Sequence, residues 1–271
     1  MVATDTSTLV DGLGFPESTR WHDGRLWFAD WAAREIVAVD LDGKSEVVAR
    51  VAGGMPISID WLPDGRMLVV SGQEARLLRL EPDGSLVTHA DLGALGEVFN
   101  EIVVDRRGNA FVNGATIAVV TPDGSARTVA DDIAFGNGMA ITPDGSTLIV
   151  AESHANRLSA FDIAPDGELS RRRVWADVGE APDGICIDSE GAVWYASVPG
   201  RHCARVREGG EVLQTVDADR GCFACMLGGP DGTTLFVATM VWRGWEHRNE
   251  DPGRTGQILT AHGPVPHAGR P

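Results

Sequence analysis

The chain has 271 residues, of which 43% are hydrophobic and 33 are glycine, a composition typical of all-β structure with many tight turns. Asp and Glu total 39 against 23 Lys and Arg, and the resulting formal charge of −16 makes nucleic acid and anionic lipid surfaces poor partners. Residues 1–12 do not resemble a secretory signal, and no run reaches the roughly 18 apolar residues that span a bilayer. The four cysteines are too few for a disulfide framework in a chain this long, so we expect a cytoplasmic protein without a membrane partner.

A strand that follows a tight turn recurs six times along the chain. Its apolar run begins at Leu26, Met67, Ala110, Leu148, Val193 and Leu235. Successive repeats are about 40 residues apart. Each follows a residue–glycine pair such as Asp64-Gly65, which is typical of a hairpin because glycine tolerates a positive φ. Further strands are predicted at Glu35–Asp40, Ile57–Leu62, Leu77–Glu81, Glu101–Asp105, Met139–Thr142 and Leu158–Ile163.

Six units of this size, each with three or four short strands, predict a single all-β domain over residues 1–271, a six-bladed β-propeller. A β-sandwich is the alternative all-β fold, but it has no reason to repeat one strand–turn–strand unit at a near-constant spacing. No long segment has a 3.6-residue hydrophobic period, so helices should be few.

In a propeller the first strand of every blade lines the central channel, so equivalent positions in different blades converge on one axis. Counting back eight residues from each turn glycine gives one position per blade, except that the first blade requires a count of seven. The six positions are Glu17, Ile57, Asn100, Asn137, Asp183 and Ala224. Four of the six therefore carry a side-chain oxygen.

Carboxylate and amide oxygens that converge on an axis favour a hard divalent cation. Ca²⁺ is the first expectation, and Mg²⁺, Mn²⁺, Fe²⁺ and Zn²⁺ are alternatives, although Zn²⁺ would lack its usual His or Cys ligands. The competing interpretation is that Asn137-Gly138 and Asp183-Gly184 are ordinary turns. Asp183-Gly184 is not the hairpin of its blade, however, because Glu190-Gly191 fills that place.

Around these positions the chain resembles the senescence marker protein/gluconolactonase family, also called the regucalcin family. The matching segments are GFPESTRWHDGRLWFAD, VFNEIVVDRRGNAFV, GNGMAITPDGSTLIVAES, APDGICIDSEGAVWYAS and CFACMLGG. The resemblance implies a six-bladed propeller with one divalent metal, whose ligands carry over onto Glu17, Asn137 and Asp183. It also implies that Asn100 faces the substrate and that Asp183 acts as general base, so Asp183 and Asn100 are the predicted catalytic residues.

Two departures from the family pattern concern substrate recognition. Sugar lactonases of this family have an arginine two residues before the substrate asparagine, and here that position is Val98. They also have a longer insertion in the third blade with a substrate-binding acid, whereas Asn113–Thr116 alone joins two strands here. With Ile57 and Ala224 at the remaining channel positions, we expect a substrate less polar than a sugar lactone. Trp242 and Trp245 could wall this pocket or pack against the sixth blade.

The sequence therefore predicts a metal-dependent hydrolase, in the first place a lactonase whose metal polarises the lactone carbonyl while water attacks. A phosphotriesterase-like hydrolase and a calcium-binding propeller without catalysis are the alternatives. The expected partner is a small lactone or ester, not a nucleic acid or a membrane.

Overall fold

The structure, a computed structural model, describes residues 5–247 and 253–269. Within these residues, 24 strands form six four-stranded antiparallel sheets, which are the six blades of a β-propeller. The two short 3₁₀ turns are Ser153–Ala155 and Trp245–His247. The predicted fold class is thus confirmed.

Each of the first five blades is a meander of four consecutive strands. Blade 1 consists of β2 (Pro16–His22), β3 (Arg25–Asp30), β4 (Glu35–Val39) and β5 (Ser45–Arg50). Blade 2 consists of β6 (Ile57–Trp61), β7 (Met67–Ser71), β8 (Arg76–Leu80) and β9 (Leu86–Asp91). Blade 3 consists of β10 (Phe99–Val104), β11 (Ala110–Gly114), β12 (Ile117–Val120) and β13 (Ala126–Ala130).

Blade 4 consists of β14 (Gly136–Ile141), β15 (Thr147–Glu152), β16 (Arg157–Ile163) and β17 (Leu169–Asp177). Blade 5 consists of β18 (Pro182–Ile187), β19 (Val193–Ser197), β20 (His202–Val206) and β21 (Val212–Asp217). Blade 6 consists of β22 (Gly221–Gly228), β23 (Thr234–Met240), β24 (Gly256–His262) and the N-terminal strand β1 (Ser7–Leu13).

The ring of blades is closed by strands from both ends of the chain. Strand β1 pairs antiparallel with β24, from Ser7 opposite Thr260 to Leu13 opposite Gly256, and so becomes the outermost strand of the sixth sheet. Because β1 pairs with the edge of β24, that edge is covered and the first and last blades are held together.

The hydrophobic core lies within and between neighbouring blades rather than at one centre. The second strand of each blade is almost entirely apolar and buried, as in Met67–Ser71, since both of its faces pack against adjacent sheets. The innermost strands of successive blades pack against one another around the channel, as β14 does against β18 and β18 against β22. The six predicted strands that follow a tight turn begin within one residue of the observed strands, because the turns define them, whereas the inner strands β10 and β14 begin two and three residues earlier than predicted.

No helix among the residues described is long and apolar enough to cross a membrane.

Candidate metal centre at the channel mouth

Strand register shows that the four predicted oxygen donors occupy equivalent places in their blades. In blades 1, 3, 4 and 5, one residue of the innermost strand pairs with the last residue of the second strand. These pairs are Pro16 opposite Asp30, Phe99 opposite Gly114, Gly136 opposite Glu152 and Pro182 opposite Ser197. The next residue in each innermost strand is Glu17, Asn100, Asn137 or Asp183. The register of blades 1, 3, 4 and 5 therefore sets these side chains at one level of the channel.

A register irregularity accompanies these residues in every one of the four blades. The shifts lie between Glu17 and Arg20, Phe99 and Ile102, Gly136 and Met139, and Pro182 and Ile185. A β-bulge redirects side chains at a strand end, which is why such irregularities recur next to functional sites. Of the two blades without a predicted donor, blade 2 pairs without a shift and blade 6 has a shift between Cys222 and Ala224.

Glycines that follow two of the donors let the inner strands approach closely. A Cβ on Gly138 would lie 2.4 Å from the Ile185 backbone nitrogen, and a Cβ on Gly184 would lie 2.6 Å from the Ala224 Cα. Asn137-Gly138 and Asp183-Gly184 are thus parts of strands, not turns. Glycine is required there because the next blade leaves no room for a side chain.

The prediction that Ile57 and Ala224 fill the two remaining channel positions is wrong. Ile57 pairs with Ser71 and Cys222 pairs with Thr239, so the equivalents of Glu17 are the next residue, Ser58, in blade 2 and Phe223 in blade 6. The spacing between the channel and the turn differs among blades, which a fixed count from the turn glycine does not detect.

The two amide donors are in contact with each other. Asn100 Nδ2 donates to the Gly136 carbonyl at 3.1 Å and to Asn137 Oδ1 at 3.3 Å, and Asn137 Nδ2 lies 3.4 Å from Ser153 Oγ. Asn113 supports this arrangement, since its Nδ2 donates to the Asn137 carbonyl at 2.6 Å and its Oδ1 accepts from the Glu101 N–H at 3.1 Å. Both amides are therefore fixed by neighbouring blades.

The two carboxylates lie in an environment that opposes their ionisation. Glu17 is only 5% exposed, and burial raises its pKa well above the usual range, with the charges of Asp183 and Glu101 adding to the effect. Burial, followed by the charge of Glu101, raises the pKa of Asp183 in the same direction. Asp183 Oδ1 is buried and has no hydrogen-bond partner in the part of the chain described. Such an atom is costly to bury unless a ligand satisfies it.

A buried ion pair beside these carboxylates was not foreseen. Glu101 Oε1 accepts from Arg20 Nη2 at 3.2 Å, from Ser18 Oγ at 3.1 Å and from the Ile102 N–H at 3.0 Å. Both Arg20 and Glu101 are buried. The register count considered one position per blade and so passed over Glu101, although it directly follows Asn100.

The charges at this level of the channel do not balance. Glu17, Glu101 and Asp183 are three carboxylates against the single guanidinium of Arg20. Ionisation of all of them leaves two negative charges, which one divalent cation would neutralise. Among residues 5–247 and 253–269, no group of three or more His, Cys, Asp and Glu side chains is arranged to hold a metal ion. A site here would therefore need amide oxygens, and those of Asn100 and Asn137 are at hand.

Three residues or segments were expected to govern substrate recognition, namely Val98, the short loop of blade 3 and the tryptophans that follow the last blade. Val98 is 48% exposed, and only two residues separate β11 from β12 at the short loop of blade 3. Trp242 packs against the sixth blade and the first, with its ring centroid 5.7 Å from Phe223 and 6.2 Å from Phe15. The side chain of Trp245 lies outside the described part of the structure.

Comparison with known proteins places these features in context. Residues 15–241 match the family described as SMP-30/gluconolactonase/LRE-like. The chain is 26% identical over 254 residues to regucalcin of Oryctolagus cuniculus, a match that covers 82% of this chain and 84% of that protein. It is 26% identical over 211 residues to a pentonolactonase of Haloferax volcanii, covering 67% of this chain and 72% of that one. The calcium-binding protein regucalcin from Agrobacterium tumefaciens shares the fold, with a TM-score of 0.77 at 18% identity over 98% of this chain and 97% of that chain.

Proposed function

The chain belongs to the SMP-30/gluconolactonase/LRE-like family, and on that premise we propose that it is a metal-dependent lactonase whose active centre is the channel mouth. Relatives with lactonase names support the reaction class, among them the pentonolactonase and a 6-deoxy-6-sulfogluconolactonase of Pseudomonas putida, which is 26% identical over 132 residues. The substrate is then a small molecule that contains a lactone ring.

The observation that carries the metal requirement is the buried, unpartnered Oδ1 of Asp183 in a channel with excess negative charge. Glu17, Asn137 and Asp183 would hold the ion, and their oxygen donors suit Ca²⁺ first. The calcium-binding regucalcin with the same fold agrees with this choice. A divalent cation at this place would polarise the lactone carbonyl and stabilise the negative charge that develops on its oxygen.

The chain's own residues would supply orientation and proton transfer. The Asn100 amide, fixed by its contacts with Gly136 and Asn137, would orient the substrate. Asp183 would accept the proton that water loses as its oxygen bonds to the carbonyl carbon. The ring C–O bond then breaks, and the departing oxygen takes up a proton to give the hydroxy acid. A carboxylate that also binds a cation is a weak base. Asp183 would therefore act best as the general base if one of its oxygens bound the cation and the other accepted the proton from water.

The test combines chelation with substrate panels. The chelated protein is assayed on lactones and on phosphotriesters, alone and with added Ca²⁺, Mn²⁺, Mg²⁺, Fe²⁺ or Zn²⁺, beside Asp183→Ala and Asp83→Ala. Asp83 is an exposed turn carboxylate and serves as the matched control. We expect lactone hydrolysis that depends on metal and is lost only in Asp183→Ala. Hydrolysis of phosphotriesters alone, or of neither class with any metal, would contradict the proposal.

A further inference from the structure

Four aromatic rings form a continuous group at the channel mouth. The ring centroid of Phe15 is 4.9 Å from that of Trp31 and 4.8 Å from that of Phe223, and Phe223 lies 5.7 Å from Trp242. We call Phe15, Trp31, Phe223 and Trp242 the aromatic wall. Phe223 is buried, whereas the other three rings are partly exposed, so the group presents apolar surface to the solvent.

Phe223, one member of the aromatic wall, lies between the two carboxylates of the candidate metal centre. Phe223 occupies the channel position of blade 6, and its strand β22 packs between β18, which carries Asp183, and β2, which carries Glu17. Phe15 precedes Glu17 by two residues. The indole N–H of Trp31 donates to the Ile57 carbonyl, so this residue offers its ring rather than a polar group.

The opposite side of the mouth is apolar as well. Val98 precedes Asn100 by two residues and is 48% exposed, and Phe135 precedes Asn137 by two residues and is 38% exposed. Phe135 stacks on His154 at a centroid distance of 4.6 Å. Phe15, Val98 and Phe135 therefore repeat one arrangement, in which a large apolar side chain lies on the loop just above a donor residue.

The polar groups of the neighbouring blade 5 loop already bond to one another. Glu180 Oε1 accepts from Tyr195 Oη at 2.8 Å and lies 2.7 Å from His202 Nε2, and Glu180 Oε2 accepts from Ser197 Oγ at 2.6 Å. A sugar hydroxyl that entered this mouth would exchange its hydrogen bonds with water for contacts with aromatic and aliphatic surface, which weakens binding.

We propose that the aromatic wall binds an apolar substituent of the lactone substrate, an alkyl chain or an aryl ring carried on the ring carbon next to the ring oxygen. The wall then selects such lactones over polyhydroxylated ones. This inference rests on the proposed lactonase function, because it assigns the part of the substrate that lies beside the reacting ring. Burial of alkyl or aryl surface against these rings supplies the discrimination.

The first test compares two substrates in three proteins. The kcat/KM of γ-phenyl-γ-butyrolactone is divided by that of unsubstituted γ-butyrolactone in the wild type, Trp242→Ala and Trp27→Ala. Trp27 lies at the other end of the propeller, where it stacks edge-on against Trp61, and controls for loss of a tryptophan. We expect the ratio to fall about tenfold in Trp242→Ala, to recover in Trp242→Phe and to stay constant in Trp27→Ala. An unchanged ratio in Trp242→Ala, or a tenfold wild-type preference for gluconolactone, would overturn the inference.

A second measurement separates this inference from the proposed function. The ketone 3-phenylcyclopentanone has the ring and the substituent in the same position but a CH2 group in place of the ring oxygen, and its binding is followed by calorimetry. Tight binding to the wild type and about tenfold weaker binding to Trp242→Ala support the aromatic wall even if no lactone is opened. Equal binding to both proteins would refute the wall even if lactones are hydrolysed.

Discussion

At the scale of single residues, the candidate site depends on carboxyl groups whose ionisation the fold opposes. Glu17 and Asp183 have raised pKa values because they are buried and because their charges, together with that of Glu101, repel one another. A group whose pKa is raised in the folded state costs stability once the pH exceeds its ordinary pKa of about 4. Without a metal, stability should therefore rise as the pH falls from neutral towards that value.

Asp183→Asn removes one of these charges and keeps the shape of the side chain. We expect the metal-free variant to melt at a higher temperature than the metal-free wild type at pH 7, and the difference to shrink at pH 5, because the cost of a raised pKa falls as the pH approaches the ordinary pKa. Thermal melts at both pH values in the presence of a chelator measure it. A variant less stable than the wild type at pH 7 would mean that the buried Asp183 carboxyl does not destabilise the metal-free protein.

Asn100 differs from the other donors because it is assigned to the substrate. Asn100→Ala should lower kcat/KM by about a hundredfold while the Kd for Ca²⁺ changes less than threefold, since both carboxylates remain. Calorimetric titration of Ca²⁺ into Asn100→Ala and Asp183→Ala separates the two roles. A loss of Ca²⁺ affinity as large as that in Asp183→Ala would make Asn100 a primary ligand.

At the scale of strands, the count along the sequence found equivalent channel positions where blades share a pattern and missed them where they do not. Asn100, Asn137 and Asp183 lie at equal distances from their turn glycines because blades 3, 4 and 5 have the same bulged inner strand. The count was one residue out for Ile57 and Ala224, where the strands differ. The contact between Ser18 and Glu101 joins residues 83 positions apart, and no local pattern reveals such a contact.

The Arg20–Glu101 pair joins the innermost strands of blades 1 and 3 beneath the candidate metal centre. Glu101→Gln keeps the volume but removes one negative charge that attracts the cation, so Ca²⁺ affinity should fall by at least about tenfold. Glu168→Gln, at an exposed carboxylate on the rim of blade 4, is the control and should bind Ca²⁺ as the wild type does. Equal affinities for both variants would show that Glu101 does not contribute charge to the site.

At the scale of the whole molecule, the proposed site requires a complete ring of blades. The proposed ligands come from blades 1, 4 and 5, and β1 must pair with β24 before the ring closes. The sequence predicted this architecture because turns and strands repeat, whereas the closing register depends on a pairing between the two ends of the chain.

A metal that binds only the closed ring should stabilise it. At a Ca²⁺ concentration of a hundred times Kd the gain is about 2.7 kcal/mol, which corresponds to a rise in Tm of roughly 5–10 °C for a chain of this size. Calorimetric melts with Ca²⁺ and with a chelator should show this difference in the wild type but not in Asp183→Ala. A wild-type Tm that is indifferent to the chelator would argue against a site that requires the folded ring.

The most direct test of the central claim is the position of the metal itself. A crystal of the Mn²⁺-loaded protein, measured at the manganese absorption edge, should give one strong anomalous peak in the channel mouth, at about 2.0–2.6 Å from oxygens of Glu17, Asn137 and Asp183. The same crystal of Asp183→Ala should lack it. A peak bound by other residues, or none in the wild type at saturating Mn²⁺, would contradict the account.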